Sequence, residues 1–373
     1  MIYMDHAATT PVKPEVLSAM LPYFTERFAN ASGTYAASRE AHRAIDAARE
    51  QVALLIGALP EEIYFTSGGS EADNWALSGV LRAAAPQKRR IVTTAIEHHA
   101  VLNACEALKN QGYDATLAPV NPDGVVDPET VGRAMTPDTA LVSVMLANNE
   151  TGAIQPVAQI ARLAHAQGIP VHTDAVQAVG HIPVDVRKLD VDLLSMSAHK
   201  FYGPKGVGAL YVRRGIRLER LIAGGAQERG MRAGTENTAA IVGMGEAARI
   251  AREQLAQNRE RVTALRDELI ARLSARLSGV TINALQAPRL PGHVHLTIDG
   301  ADSAMLLMRL DMLGIAASAG SACTSGAVTR SHVLTAMGAP DGRQADLRLT
   351  LGEENTSGEI DLVVDALCAI LNR

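Results

Sequence analysis

The chain is poor in lysine. Of its 35 basic residues only six are lysines, at positions 13, 88, 109, 188, 200 and 205. Any chemistry that needs an amine nucleophile therefore has a short list of candidates. Cysteine is scarcer still: Cys105, Cys323 and Cys368 are the three present, an odd number with no CxxC spacing. That argues against a disulfide framework and favours a reducing, cytoplasmic setting. Uninterrupted apolar runs stop short of the roughly 20 residues a membrane helix needs. The N-terminus, "MIYMDHAATTPVKPEV", places an acid and a histidine where a signal peptide would carry apolar residues. A net charge of −5 gives no electrostatic reason to expect direct nucleic-acid binding. Neither GxxxxGK[ST] nor a strand-linked GxGxxG occurs, so a nucleotide site is not expected.

What is present suits a large two-part α/β protein. A length of 373 residues exceeds a usual single domain, and 47% hydrophobic content can fill a sizeable core. From about residue 38 to 250, short apolar runs alternate with helical periodicity. "SREAHRAIDAAREQVALLIG" reads as a helix stopping at Gly57, and "EIYFTSGG" as a strand running into glycines. "SEADNWALSGVLRAA" reads as a helix capped by Ser70, and "DLLSMSAHKFYGPKGVGALYV" as two strands around a tight turn. The alternation predicts a mainly parallel sheet with helices on both faces. "GEAARIAREQLAQNRERVTALRDELIARLSARL" is a long helical bridge to the shorter strands and helices of a second, smaller α/β domain.

In open α/β sheets ligands lie outside the carboxyl ends of the strands, so the residues at those ends are the candidates for chemistry. "IYFT" ends in Ser67-Gly68-Gly69-Ser70 at a helix start, which suits a phosphate or, alternatively, an ordinary serine-capped turn. "VTTAIE" ends in His98-His99, whose adjacent side chains diverge. A metal pair is not expected there, while a stacking or acid–base histidine and a solvated loop histidine both remain open. "IPVHT" ends in Asp174, followed by Gln177, and a buried acid there must be paired or hydrogen-bonded. "LLSMS" ends in Ser197, His199 and Lys200; Lys205 in "GPKG" reads as a surface turn. Together these ends offer a phosphate cradle, a ring-stacking histidine, a buried acid and an amine. Pyridoxal phosphate needs that set: a Schiff-base lysine, and an acid that keeps the pyridine nitrogen protonated.

The sequence resembles the cysteine desulfurases of the class V aminotransferase fold, and within them the NifS/IscS-like group. The stretches that carry the resemblance are "YMDHAATTPV", "TSGGSEADN", "TTAIEHHAVL", "MLANNETGAIQP", "HTDAVQA", "SAHKFYGPKGVGALYV", "GGAQERGMRAGTEN", "SAGSACTSG" and "SHVLTAMG". It implies a fold-type I pyridoxal-phosphate enzyme with a mainly parallel, seven-stranded type of sheet. It also implies a cofactor-binding large domain over residues 15–258 and a small domain over 1–14 plus 259–373. By the same resemblance Lys200 carries the cofactor and Asp174 pairs with the pyridine nitrogen. His98 stacks on the ring and moves protons. Asn149 and Gln177 bond the ring-oxygen side, with Asn149 also near substrate. Gly69, Ser70, Ser197 and His199 hold the phosphate, and Thr235 reaches the phosphate of the partner subunit in a homodimer. Arg348 clamps the substrate carboxylate, and no metal is expected.

Cys323 matches the catalytic cysteine, in a stretch, Ser318 to Gly326, built almost wholly of alanine, serine, glycine and threonine. Small residues let a thiol reach a substrate at low steric cost and then deliver sulfur elsewhere. The implied reaction turns L-cysteine into L-alanine and leaves a persulfide on Cys323. The sulfur would go to an iron–sulfur scaffold or a thiolation protein. A selenocysteine lyase or aminotransferase of the same fold, and a non-catalytic sulfur-relay subunit, are the rival readings. Two positions depart from the family pattern: Tyr35 in "ANASGTY" stands where a histidine is common, and Glu353 follows "RLTLG" where an arginine is common.

Overall fold

The computed structural model of the chain describes residues 1–320, 331–339 and 344–371. In chain order its strands are β1 (Ile2–Tyr3), β2 (Ile63–Thr66), β3 (Arg90–Thr94), β4 (Asp114–Ala118), β5 (Thr139–Ser143) and β6 (Val171–Asp174). They continue with β7 (Leu193–Ser197), β8 (Gly208–Val212), β9 (Val280–Ile282), β10 (His293–Asp299), β11 (Ile315–Ala316) and β12 (Gln344–Thr350). Seven form one sheet in the order β2-β8-β7-β6-β5-β3-β4. β8 pairs antiparallel with both β2 and β7, and the pairs from β7 through to β4 are parallel. The mainly parallel seven-stranded sheet expected from the alternation and the resemblance is thus present. Strands β5 to β8 are buried along their whole length, as strands covered on both faces must be.

One face of this sheet packs against the helices Ala36–Ile56 and Val157–His165 and the first half of Thr238–Arg276. The other face packs against Gly69–Ala83 and His99–Lys109, with Trp75 wholly buried between them. Helix Ala36–Ile56 ends, as its sequence predicts, at Gly57 in the left-handed conformation. The 39-residue helix Thr238–Arg276 is about 58 Å long at 1.5 Å per residue. Its first half lies close on Ala36–Ile56 because Gly245 faces Ala48: a Cβ at 245 would come within 2.6 Å of Ala48 Cβ. Its second half sends Val262, Leu269 and Leu273 into a separate apolar cluster with Val294, Leu296, Leu347, Leu349, Ile360 and Leu367. That cluster fills the space between the antiparallel sheet β12-β10-β9 and the helices Ser303–Met312 and Ser357–Leu371. The N-terminus returns to it: β1 pairs with β11, and Met4 is buried in the same cluster.

Three local expectations change. Gly68, not Ser70, caps the helix Gly69–Ala83, so Ser70 lies inside the first turn. The glycine backbone reaches a φ of 158° that serine would resist, and the helix starts two residues early. The link between β7 and β8 is no tight turn: it runs over residues 198–207 through a 3₁₀ turn, Ala198–Lys200, and a left-handed Tyr202. β4 escapes the sequence pattern because it is an edge strand with Asp114 and Leu117 exposed, so no buried face marks it.

Candidate active site

The carboxyl ends of β2, β3, β5, β6 and β7 meet around a cavity of about 220 Å³. Gly69, Ser70, Asp73, His98, Asn149, Asp174, Gln177, Ser197, His199 and Lys200 line it. Ten residues were expected at the cofactor, and nine of them share this wall; Thr235 does not. Thr235 is exposed in the irregular stretch before Thr238–Arg276. Cys323 lies outside the described residues.

Lys200 ends the 3₁₀ turn that follows β7. Its Nζ donates to the carbonyls of Ala7 at 2.5 Å and Ala8 at 2.8 Å. Gln177 Nε2 donates to the same Ala7 carbonyl at 3.0 Å. Thr9 Oγ1 lies 3.1 Å from His199 Nδ1, and Thr10 Oγ1 donates to the His199 carbonyl. Ala7 to Thr10 therefore hold the cavity residues Lys200, Gln177 and His199, a role that no periodicity could show.

Asp174 is the last residue of β6 and 5% exposed. Burial lifts its carboxyl to about 6, although the Val176 amide, 2.9 Å from Oδ1, and the Lys200 cation both pull it back. His98 caps the helix His99–Lys109 by accepting the Ala100 amide on Nδ1 at 3.1 Å. When the ring is neutral its proton must then sit on Nε2. Burial, and next the Lys200 charge, lower His98 to about 4, so it is neutral at pH 7. Burial and Lys200 lower His199 to about 4 in the same way.

Arg348 sits on β12, 5% exposed, opposite His295 of β10. Nη1 donates to the Asn149 carbonyl at 3.0 Å and Nη2 to Asp5 Oδ1 at 2.8 Å. The guanidinium thus joins the second sheet to the cavity wall. Ser318 pairs through its backbone with Arg348, and Ser331 Oγ donates to the buried carboxylate of Glu150. The two departures lie elsewhere. Tyr35 is 58% exposed at the start of Ala36–Ile56, and Glu353 pairs with Lys13 Nζ at 2.5 Å; neither lines the cavity.

These residues fit pyridoxal phosphate. Asn149 Oδ1 is buried with no hydrogen-bond partner. A Cβ at Gly69 would come within 2.6 Å of Val176 Cγ2, so only glycine leaves the backbone open there. A second, open hollow of about 420 Å³ shares Gly69, Ser70, Ser197 and His199, and adds Thr9 and the Lys205 side chain, which suits an anion. Lys205, read from sequence as a surface turn, is exposed and borders this hollow. Among the described residues no three His, Cys, Asp or Glu side chains converge to hold a metal, and no helix is long and apolar enough to cross a membrane.

Sequence reasoning missed Asp5, Asp73, Glu97, Glu150 and His172, all buried or half-buried near the site. One signal was there for Asp73: it sits among Ala72, Trp75, Ala76 and Val80 on the apolar stripe of its helix. An acid on such a stripe asks for a partner.

A cysteine desulfurase IscS of Clostridium botulinum is 48% identical to the chain, covering 100% of it and 94% of the relative. One of Methanosarcina thermophila is 46% identical, covering 100% and 92%. The solved structure of a NifS-like protein superposes with a TM-score of 0.93 at 38% identity, covering 100% of this chain and 99% of the other. The profile of the Aminotransferase class-V family matches residues 2–363, and the chain belongs to that family.

Proposed function

We infer that the protein is a pyridoxal-phosphate-dependent cysteine desulfurase, which converts L-cysteine to L-alanine and collects the sulfur as a persulfide on Cys323. The observation that carries this reading is the convergence of Lys200, Asp174 and His98 on one cavity, with Arg348 one hydrogen bond behind Asn149. It is supported by full-length relatives that bear that enzyme name.

Bound there, pyridoxal phosphate supplies an electron sink beside the α-carbon of the amino acid. Lys200 holds the cofactor covalently and, once freed, offers an amine to take or return a proton. Asp174 presents a negative charge to the pyridine nitrogen. His98 stays neutral and turns Nε2–H toward the cavity, a second proton carrier. Gln177 and Asn149 border the ring-oxygen side; Gly69, Ser70, Ser197 and His199 take the phosphate. Arg348 binds the substrate carboxylate, as its planar fork allows. The Cys323 thiolate attacks the substrate sulfur: an S–S bond forms, the Cβ–S bond breaks with its electron pair left on Cβ, Cβ takes a proton from the Lys200 amine or His98, and alanine leaves.

We assign the cofactor to a domain spanning 15–258 and Arg348 with the Cys323 segment to a domain spanning 1–14 plus 259–373. The separation of the apolar cluster around Val294, Leu347 and Ile360 from the one beneath the helices Ala36–Ile56 and Val157–His165 supports that division. The working form is a homodimer with Thr235 reaching the phosphate of the partner subunit. Cytoplasmic residence fits the sparse cysteines, and the acceptor is an iron–sulfur scaffold or a thiolation protein. The direct test feeds purified protein L-cysteine with an excess of a thiol reductant, which releases the persulfide sulfur as sulfide, and measures alanine and sulfide together. Equal yields support the reading. Pyruvate with no alanine would replace it by a lyase of another type, and no product at all by a relay subunit.

A further inference from the structure

Behind Asp174 lies a set of buried titratable groups that the reaction above leaves unused. His172 precedes Asp174 by two residues on β6, so the two side chains leave the same face of the sheet. The His172 ring is fully buried and held from both sides. Ser143 Oγ of β5 lies 2.9 Å from Nδ1, and Ser195 Oγ of β7 lies 2.9 Å from Nε2. Asp73 meets this face from the helix Gly69–Ala83. Its Oδ1 lies 3.7 Å from His172 Nε2. Glu97, wholly buried, completes the group and accepts from Thr94 Oγ1 at 2.6 Å and the Met145 amide at 3.0 Å.

The charges do not balance if all three acids ionise. Lys200 faces Asp174, but among the described residues no arginine or lysine forms an ion pair with Asp73. His172 does not make up the difference: burial lowers it to about 3, so it is neutral. Asp73 is 1% exposed, lines the cavity, and leaves Oδ1 without a hydrogen-bond partner. A buried carboxylate with an oxygen that has no hydrogen-bond partner and no cation beside it is disfavoured in its ionised form, and it takes up a proton instead. Neighbouring carboxylates that share a site behave likewise, one of them keeping its proton.

We propose that Asp73 is a positioning residue that stands as a neutral carboxylic acid beside His172, leaving Asp174 as the carboxylate charge that faces the cofactor ring. Were Asp73 ionised, its charge would draw a proton onto Asp174, and Asp174 could no longer keep the pyridine nitrogen protonated. Burial acts in the same sense, raising Asp73 well above the ordinary carboxylate range, with Asp174 and Glu97 adding to it and Ser195 pulling it part of the way back. The consequence for the ring rests on the pyridoxal-phosphate reading; the proton on Asp73 does not.

The experiment has two arms. The first is infrared spectroscopy of the cofactor-free protein at neutral pH, which sees the carbonyl stretch of protonated carboxylic acids above the amide I band. Glu97, pushed up to about 8, should contribute to it, so Glu97→Gln is the background. A protonated-acid band should survive in Glu97→Gln and vanish when Asp73→Asn is added. Absence of the band from Glu97→Gln, where Asp73 is native, would overturn the proposal. The second arm is cofactor affinity at neutral pH. Asp73→Ala should weaken pyridoxal phosphate binding at least tenfold, and Asp73→Asn, a neutral isostere, should restore it. An Asp73→Asn protein as impaired as Asp73→Ala would show that the charge is what matters, against the proposal. A wild-type protein that binds no pyridoxal phosphate would sink the functional reading, and the infrared arm would still decide Asp73.

Discussion

Arg348 donates through Nη2 to Asp5 Oδ1 at 2.8 Å while Nη1 holds the Asn149 carbonyl, and Nε is left buried with no hydrogen-bond partner. A guanidinium held by two neighbours in this way is already oriented before any substrate arrives. Its unused donor is what an incoming carboxylate can take, with Asp5 able to yield Nη2 to complete a two-pronged grip. Arg348→Ala should therefore weaken cysteine binding by about 2–5 kcal/mol, the range for truncating one partner of a buried charge pair. Arg348→Lys should recover little, because a point charge cannot serve Asn149, Asp5 and a carboxylate at once. Equal Michaelis constants for Arg348→Lys and wild type would refute the clamp.

Lys200 is the amine that faces Asp174 across the cavity, while Lys205 borders the outer hollow. Borohydride reduction of the holoenzyme should fix the cofactor on the peptide containing Lys200, and Lys200→Ala should abolish that adduct. Mapping the adduct to Lys205 in the wild-type protein would exchange the two assignments.

How far the sequence reached follows from where each residue lies. Asp174, Ser197, Lys200 and His98 were legible because each follows a strand whose apolar run stops abruptly, and ligand sites gather at such ends. The mainly parallel sheet was legible in the repeated switch of period, without its edge strand β4, and its seven-stranded type came from the resemblance. Asp5 was not: it lies on an N-terminal loop that reaches the site only because β1 pairs with β11 and Asp5 itself bridges to Thr350. Glu150 and His172 were hidden within strand and turn residues, where their partners, Ser331 and Ser195, are distant in sequence. Ser70 was misplaced as a cap because glycine at 68 has no side chain to announce itself.

The Asp174 carboxyl, at about 6, gives cofactor binding a pH dependence. In the folded apoprotein this group holds its proton more tightly than in the unfolded chain. It therefore stabilises the apoprotein below the ordinary carboxylate range, and that contribution is lost as pH rises toward about 6. Pairing with the ring nitrogen needs the ionised form. Cofactor affinity should thus fall as pH is lowered through about 6. Asp174→Asn should bind more weakly at neutral pH and lack this part of the slope. Parallel pH profiles for the two proteins, measured by equilibrium titration with pyridoxal phosphate, would count against the pairing.

Thr235 is exposed and away from the cavity of its own chain, which suits a residue that serves the partner subunit. Lys200→Ala and Thr235→Ala chains, each impaired alone, should recover part of the cofactor affinity and activity when mixed and allowed to exchange. One site of each mixed dimer then has both residues intact. No recovery after exchange has been verified by mass would place the contact within one chain.

Cys323→Ser separates binding from sulfur transfer. Lys200, Asp174 and Ser70 do not involve the thiol, so the variant should bind pyridoxal phosphate as the wild type does. Arg348 and Asn149 are likewise untouched, so cysteine should still enter and perturb the cofactor absorbance. The reaction should then stop, with no persulfide and little sulfide, because a hydroxyl at neutral pH is a poor nucleophile toward sulfur. Under the rival lyase reading selenium can leave without a protein thiol, and selenocysteine should be turned over by Cys323→Ser as by the wild type. Stopped-flow absorbance with a sulfide assay decides between them. Near-normal sulfide release from cysteine by Cys323→Ser would mean that the thiol has no part in the chemistry. An intact absorbance change followed by arrest would identify it as the group that receives the sulfur.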